Sequence, residues 1–129
     1  MVVLDRWALL AYLKDEPAAA RIEAKWLADR PAICSINLGE VFYILIRDLG
    51  EEAAAEQIDA VRRNSNLVEP DWDLVAEAAR LKATGCLAYA DAFCIATAQR
   101  LDGPLLTGDP EIIDRAEELR CRVVDLRQS

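Results

Sequence analysis

Short apolar stretches, rich in β-branched residues, alternate with helix-length stretches from one end of the chain to the other. Val2-Val3-Leu4 is the first such stretch. Ala32 to Ile36, Leu67-Val68-Glu69, Pro104 to Thr107 and Cys121 to Leu126 repeat the pattern. Each is too short for a helix and too apolar to face water on both sides, which is how a buried parallel strand reads. Between them the spacing predicts helices over 8–14, 17–30, 37–49, 51–64, 71–83, 87–101 and 111–119. Pro17 suits a first helical position, and Pro31 stops the second helix. Ile22 and Trp26 lie four apart on one helical face. The Ala-rich segment from Leu87 to Leu101 is apolar on nearly every side and should be buried all round. This order predicts an α/β fold, a three-layer α/β/α sandwich with a short, mainly parallel sheet of about five strands. No repeat, linker or low-complexity segment divides residues 1–129, which are read as a single domain.

What the chain lacks narrows its chemistry. It has no histidine, so Ser-His-Asp, Cys-His and histidine-based zinc chemistry are excluded. Its four cysteines, at 34, 86, 94 and 121, form no Cys-x-x-Cys pair and read as buried free thiols of a reducing cytoplasm. No apolar run approaches a membrane span, and Asp5 interrupts the N-terminus where a secretory signal would need its apolar region. The formal charge is −8, from 23 acidic and 15 basic residues. Overall charge therefore cannot attract a polyanion. A nucleic-acid substrate would need metal ions or local cations, drawn from Arg6, Arg47, Arg62, Arg63, Arg80 and Lys82.

Four acids stand where solubility does not require them. Asp5 and Asp109 follow the first and fourth strands; Glu40 and Asp91 lie near the starts of apolar helices. In an open parallel sheet these positions share the carboxyl edge, where ligands bind. Each acid also has a structural reading. Asp5 can cap the first helix, Asn37-x-x-Glu40 can be a capping box, Asp91 can favour a helix dipole, and Asp109 can cap a turn ahead of Pro110. If the four converge, they need a cation, because two charges about 4 Å apart repel by about 4 kcal/mol at an effective dielectric of about 20. Hard oxygen ligands without histidine or thiolate select Mg²⁺ or Mn²⁺. Such an ion activates water and stabilises displacement at phosphorus, so the implied reaction is phosphodiester hydrolysis without a covalent intermediate.

Several segments carry a family likeness. Val2 to Asp5 followed by Leu9-Leu10-Ala11-Tyr12-Leu13, then Glu40-Val41, are its weaker parts. Leu87-Ala88-Tyr89-Ala90-Asp91-Ala92-Phe93 with Ile95-Ala96-Thr97-Ala98, and Leu105-Leu106-Thr107-Gly108-Asp109, are distinctive in order and spacing. The chain resembles the PIN-domain ribonucleases, and among them the VapC-type toxins of VapBC toxin–antitoxin pairs. The resemblance implies a Mg²⁺- or Mn²⁺-dependent endoribonuclease with Asp5, Glu40, Asp91 and Asp109 as its acidic cluster. It also implies Thr107 near the metal, an RNA substrate, a cognate antitoxin and a homodimer, with Tyr12, Trp26, Tyr43 and Ile46 as contact surfaces or core. Thr107 can equally be an ordinary strand residue. Where the family often has Ser or Thr after the first Asp, this chain has Arg6-Trp7. Arg6 can meet substrate phosphate or a surface acid, and Trp7 can stack on a base or pack in the core. Trp26 and Trp72 are read as core or interface residues.

Two other classes compete. A receiver-like phosphoacceptor domain would need an acidic neighbour beside Asp5 and a late Lys, and neither is present. A catalytically inactive PIN-like binding module would be favoured by loss of one of the acids, and all four remain.

Overall fold

The computed structural model describes residues 1–127. Five strands form one sheet in the order β3-β2-β1-β4-β5, and every pairing is parallel. They are β1 (Val3–Leu4), β2 (Ala32–Cys34), β3 (Asn66–Val68), β4 (Leu105–Thr107) and β5 (Val123–Asp125). The helices are α1 (Arg6–Leu13), α2 (Ala19–Ala28), α3 (Ser35–Leu49), α4 (Glu51–Asn64), α5 (Trp72–Ala83), α6 (Tyr89–Leu101) and the single turn α7 (Pro110–Ile113). The predicted α/β/α sandwich is the observed fold.

Side-chain alternation along two- and three-residue strands divides the core. Leu4, Ile33 and Leu106 point into a cluster with Leu9, Ile22, Leu45 and Ile58 from α1 to α4. Val3, Ala32 and Leu105 point the other way, against Ile95 of α6 and Ile112 of α7. Cys34 joins Leu74, Ala78 and Phe93 beside them. Asp91 through Ala98 of α6 are all buried, as the Ala-rich pattern predicts. Small residues let that helix lie close to the sheet on one side and to α5 and α3 on others.

Local boundaries moved where tertiary contacts outweighed propensity. The second strand stops at Cys34, and Ser35 and Ile36 already belong to α3. Pro17 lies in a turn, and α2 begins at Ala19 without a side-chain cap. The helix expected over 111–119 is broken into α7 and a 3-10 turn, Ala116–Glu118. At the break, Arg115 turns inward and donates to the Gly85 carbonyl at 2.6 Å and to Thr84 Oγ1 at 3.2 Å. Trp72 is not core: it is 75% exposed at the start of α5. Trp26 stacks on Tyr12 at 5.1 Å, and its indole N–H donates to the Asn64 carbonyl at 2.7 Å. Cys34 and Cys94 are buried, but Cys86 is exposed in the loop before α6. Among the described residues, no helix is long and apolar enough to cross a membrane.

Candidate metal centre at the carboxyl edge

Register brings the first two site residues together. Leu4 pairs with Leu106, so one step further Asp5 lies beside Thr107, at the carboxyl ends of two adjacent strands. Asp5 Oδ1 accepts from the Ala8 backbone N–H at 2.9 Å, which caps α1. Its Oδ2 accepts a short hydrogen bond from Thr107 Oγ1. The capping reading of Asp5 therefore holds for one oxygen, while the other faces Thr107 at the carboxyl edge. Thr107 Oγ1 in turn accepts from the Asp109 N–H at 2.9 Å, so one buried hydroxyl links the two acids.

Asp109 caps α7, with Pro110 behind it, and accepts from the Glu111 N–H at 2.9 Å. Gly108 must be glycine for a steric reason. A Cβ there would meet ring atoms of Trp7 at 2.2–2.5 Å. Trp7 therefore packs across this turn as well as against the core of α1 to α4, and is half-buried.

Asp91, in the first turn of α6, is 5% exposed. Asp91, Asp109 and Glu111 each offer an oxygen within 4.8 Å of the other two. Sequence reasoning missed Glu111. Its signal was the spacing Asp109-Pro110-Glu111, which puts a second acid in the turn that follows the fourth strand.

Glu40 is placed differently. Because α3 starts at Ser35, Asn37 lies inside the helix and cannot be its cap, so the capping-box alternative fails. Instead Asn37 Nδ2 donates to Glu40 Oε1 at 3.3 Å and to the Ala90 carbonyl at 2.9 Å. That amide ties α3 to the start of α6, directly before Asp91. The other Glu40 oxygen, Oε2, lies 3.6 Å from Arg6 Nη1. Glu40 is thus at the site but outside the three-acid group.

Burial dominates the electrostatics. It raises the Asp5 carboxyl from 3.8 to about 7, against the lowering effect of the Thr107 and Ala8 hydrogen bonds, with Asp91 and Asp109 pushing it further up. Asp91 is likewise raised to about 7, first by burial and then by Asp109 and Glu40; Arg6 opposes this and Glu111 adds to it. Carboxylates crowded out of water in this way gain most from a bound cation. The donor set suits a hard divalent ion, with three carboxylates and neither histidine nor thiolate among them. Ligands about 2.1 Å from an octahedral ion stand about 3.0 Å apart when adjacent and about 4.2 Å when opposite, so oxygens up to 4.8 Å apart would close by as much as about 2 Å around it. In their chemistry the residues fit a hard divalent ion such as Mg²⁺ or Mn²⁺.

Of the other basic residues expected to line a substrate path, Arg62 pairs with Asp59 and Arg80 with Glu77, each on its own helix. Arg47 lies over the Tyr43 ring. Arg6 meets a candidate site acid, neither a remote surface acid nor empty solvent.

The PIN domain family matches residues 2–119. The chain belongs to the PIN domain family. No curated protein matches its sequence. Among solved structures, it is similar to a toxin–antitoxin complex from Klebsiella pneumoniae at 21% identity and a TM-score of 0.76, with 98% of each chain covered. It is also similar to VapBC-1 from nontypeable Haemophilus influenzae, at 18% identity and a TM-score of 0.75, over 99% of this chain and 100% of that one. A third is the sarcin–ricin loop cleaving toxin VapC20 of Mycobacterium tuberculosis, at 17% identity and a TM-score of 0.71, over 88% of this chain and 94% of that one. At these identities the likeness is one of fold. This PIN domain shares its architecture with toxin–antitoxin complexes and with a toxin that cleaves the sarcin–ricin loop.

Proposed function

We propose that this PIN domain is a divalent-metal-dependent endoribonuclease that serves as the toxin of a VapBC-type pair. The observation that carries the reading is the convergence of Asp91, Asp109 and Glu111 within 4.8 Å at the carboxyl edge. Asp5 and Glu40 stand beside them. Asp91, Asp109 and Glu111 would hold Mg²⁺ or Mn²⁺, with Asp5 and Glu40 contributing charge or further ligands. The bound ion would supply neutralisation of phosphate oxygens and a lowered pKa for the attacking water. The chain's own part is preorganisation. Thr107 holds Asp5 and the Asp109 backbone in one network, Asn37 fixes Glu40 against the start of α6, and Trp7 pins the turn that carries Asp109. With no histidine in the chain, proton transfer falls to carboxylates or solvent.

The partner reading has support away from the acids. Tyr12, Leu13, Trp26, Leu27 and Val61 line a groove of about 340 Å³ between α1, α2 and α4, and Leu27 is 82% exposed. Such a groove suits the apolar face of a peptide helix, the binding mode an antitoxin would use. A cytoplasmic homodimer acting as one domain per chain completes the proposal.

The test is cleavage of total RNA with Mg²⁺, with Mn²⁺ and with EDTA, comparing wild type with Asp5→Asn, Asp91→Asn and Glu111→Gln. Cleavage should vanish in EDTA and fall at least about 100-fold in Asp91→Asn, the scale expected when a charge-stabilising group is removed from a reaction centre. Glu111→Gln should weaken Mn²⁺ binding about tenfold or more by calorimetry, because one of three charged ligands becomes neutral. Undiminished cleavage in all three variants would refute the carboxylate mechanism.

A further inference from the structure

Arg6 is a cation in the first turn of α1, where the helix dipole disfavours positive charge. Its position answers to the acids it faces. Nη1 lies 3.6 Å from Glu40 Oε2, and that is an ion pair without a close hydrogen bond. The Arg6 side chain is 39% exposed and that of Glu40 18%. A single loose contact at a half-open rim is worth little and exchanges easily. The remaining guanidinium N–H groups stay free to form a bidentate pair with a phosphate, which a carboxylate contact through one nitrogen does not use. Arg6 is also the one cation among the groups that act most strongly on Asp91.

An RNA strand approaching this edge meets Asp5, Glu40, Asp91, Asp109 and Glu111, and needs a local positive contact to overcome them. We infer that Arg6 is a substrate-contacting residue that exchanges the Glu40 carboxylate for an RNA backbone phosphate, so that RNA binding frees Glu40 to turn toward the three-acid group. The inference rests on the ribonuclease reading above. It assigns a use to the residue at which this chain departs from the Ser or Thr frequent in its family. It also makes Glu40 a competitor of RNA for the same guanidinium.

The experiment measures binding of a fluorescently labelled single-stranded 12-mer RNA, 2′-O-methylated so that it stays intact, to the full chain in Mn²⁺ by anisotropy at several salt concentrations. Arg6→Ala should bind about tenfold more weakly, with the slope of log affinity against log salt reduced by about 0.7. Arg6→Lys should recover the slope but only part of the affinity, because an ammonium cannot form the bidentate pair. Glu40→Gln should bind RNA several-fold more tightly, since it releases Arg6. Opposite signs for Arg6→Ala and Glu40→Gln separate substrate contact from mere loss of an ion pair, which would move both variants together. Calorimetry without RNA should show Mn²⁺ affinity in Arg6→Ala equal to or above that of wild type. Equal RNA affinity and salt slope in wild type and Arg6→Ala would overturn the inference, and wild-type cleavage in the same buffer would leave the ribonuclease reading standing. A wild type that neither binds Mn²⁺ nor cleaves RNA would remove both.

Discussion

Neutralising Asp91 should stabilise the metal-free protein, and the gain should grow with pH. Asp91 is 5% exposed, and its carboxyl is raised from 3.8 to about 7 by burial and by Asp109, Glu40 and Glu111, with Arg6 opposing. A raised carboxyl pKa means that the folded state prefers the protonated form. The protonated group's stabilisation is intact below about pH 4 and is lost as pH rises toward 7. Above that, wild type carries the full cost of an ionised Asp91. The difference between 3.8 and about 7, at about 1.36 kcal/mol per pKa unit, sets a ceiling of about 4 kcal/mol. Asn lacks the charge that favours the α6 N-terminus, which returns up to about 1 kcal/mol. Side-chain relaxation and water entry reduce the gain further, so Asp91→Asn should exceed wild type by about 1–3 kcal/mol at pH 8 in EDTA. For a chain of this size that corresponds to roughly 4–12 °C in Tm. Thermal unfolding should be followed by circular dichroism from pH 4 to pH 8, in EDTA and in 5 mM Mn²⁺ (about a saturating amount for a carboxylate site). The gap between variant and wild type should close toward pH 4. Manganese should raise the wild-type Tm and leave that of the variant nearly unchanged. If Asp91→Asn were less stable than wild type at pH 8 in EDTA, or if the gap did not narrow on acidification, the account of a charge-strained carboxyl edge would be wrong.

Thr107→Val keeps the shape of a fully buried side chain but removes the donor to Asp5 and the acceptor of the Asp109 N–H, and should cost about 1–3 kcal/mol in chemical denaturation. A cost confined to a few tenths would mean that the short bond does not organise the site. Gly108→Ala should cost about 1–3 kcal/mol, because its Cβ would lie 2.2–2.5 Å from the Trp7 ring. In a double-mutant cycle Trp7→Leu should absorb most of that cost, and strictly additive effects would contradict the packing described.

Much of the candidate centre was legible because parallel α/β folds constrain where strand ends go. Asp5 after Val3-Leu4 and Asp109 after Leu105-Leu106-Thr107 could be assigned to one edge without coordinates, since apolar strands of this kind run in one direction. Glu111 was overlooked although its spacing was visible, because nothing local shows that the first turn of α7 carries its carboxylate toward Asp91. The helix expected over 111–119 ends after one turn, where Arg115 reaches Gly85 and Thr84 across the fold. The capping-box reading of Asn37 and Glu40 failed for a similar reason. The residue pattern allowed a helix start at Asn37, but α3 begins two residues earlier, directly after β2.

The sequence by itself determined the layer order, the parallel sheet, the burial of α6 and the exclusion of histidine chemistry. These follow from hydrophobic period and composition, properties of neighbouring residues along the chain. Tertiary structure decided which oxygens face one another. Asp5 divides its two oxygens between a helix cap and Thr107, Glu40 is held by Asn37 and Arg6, and Asp91 closes on Asp109 and Glu111. Those distances depend on strand register and helix packing between segments up to a hundred residues apart. Local spacing cannot encode them, because a shift of one residue in register turns every side chain to the opposite face.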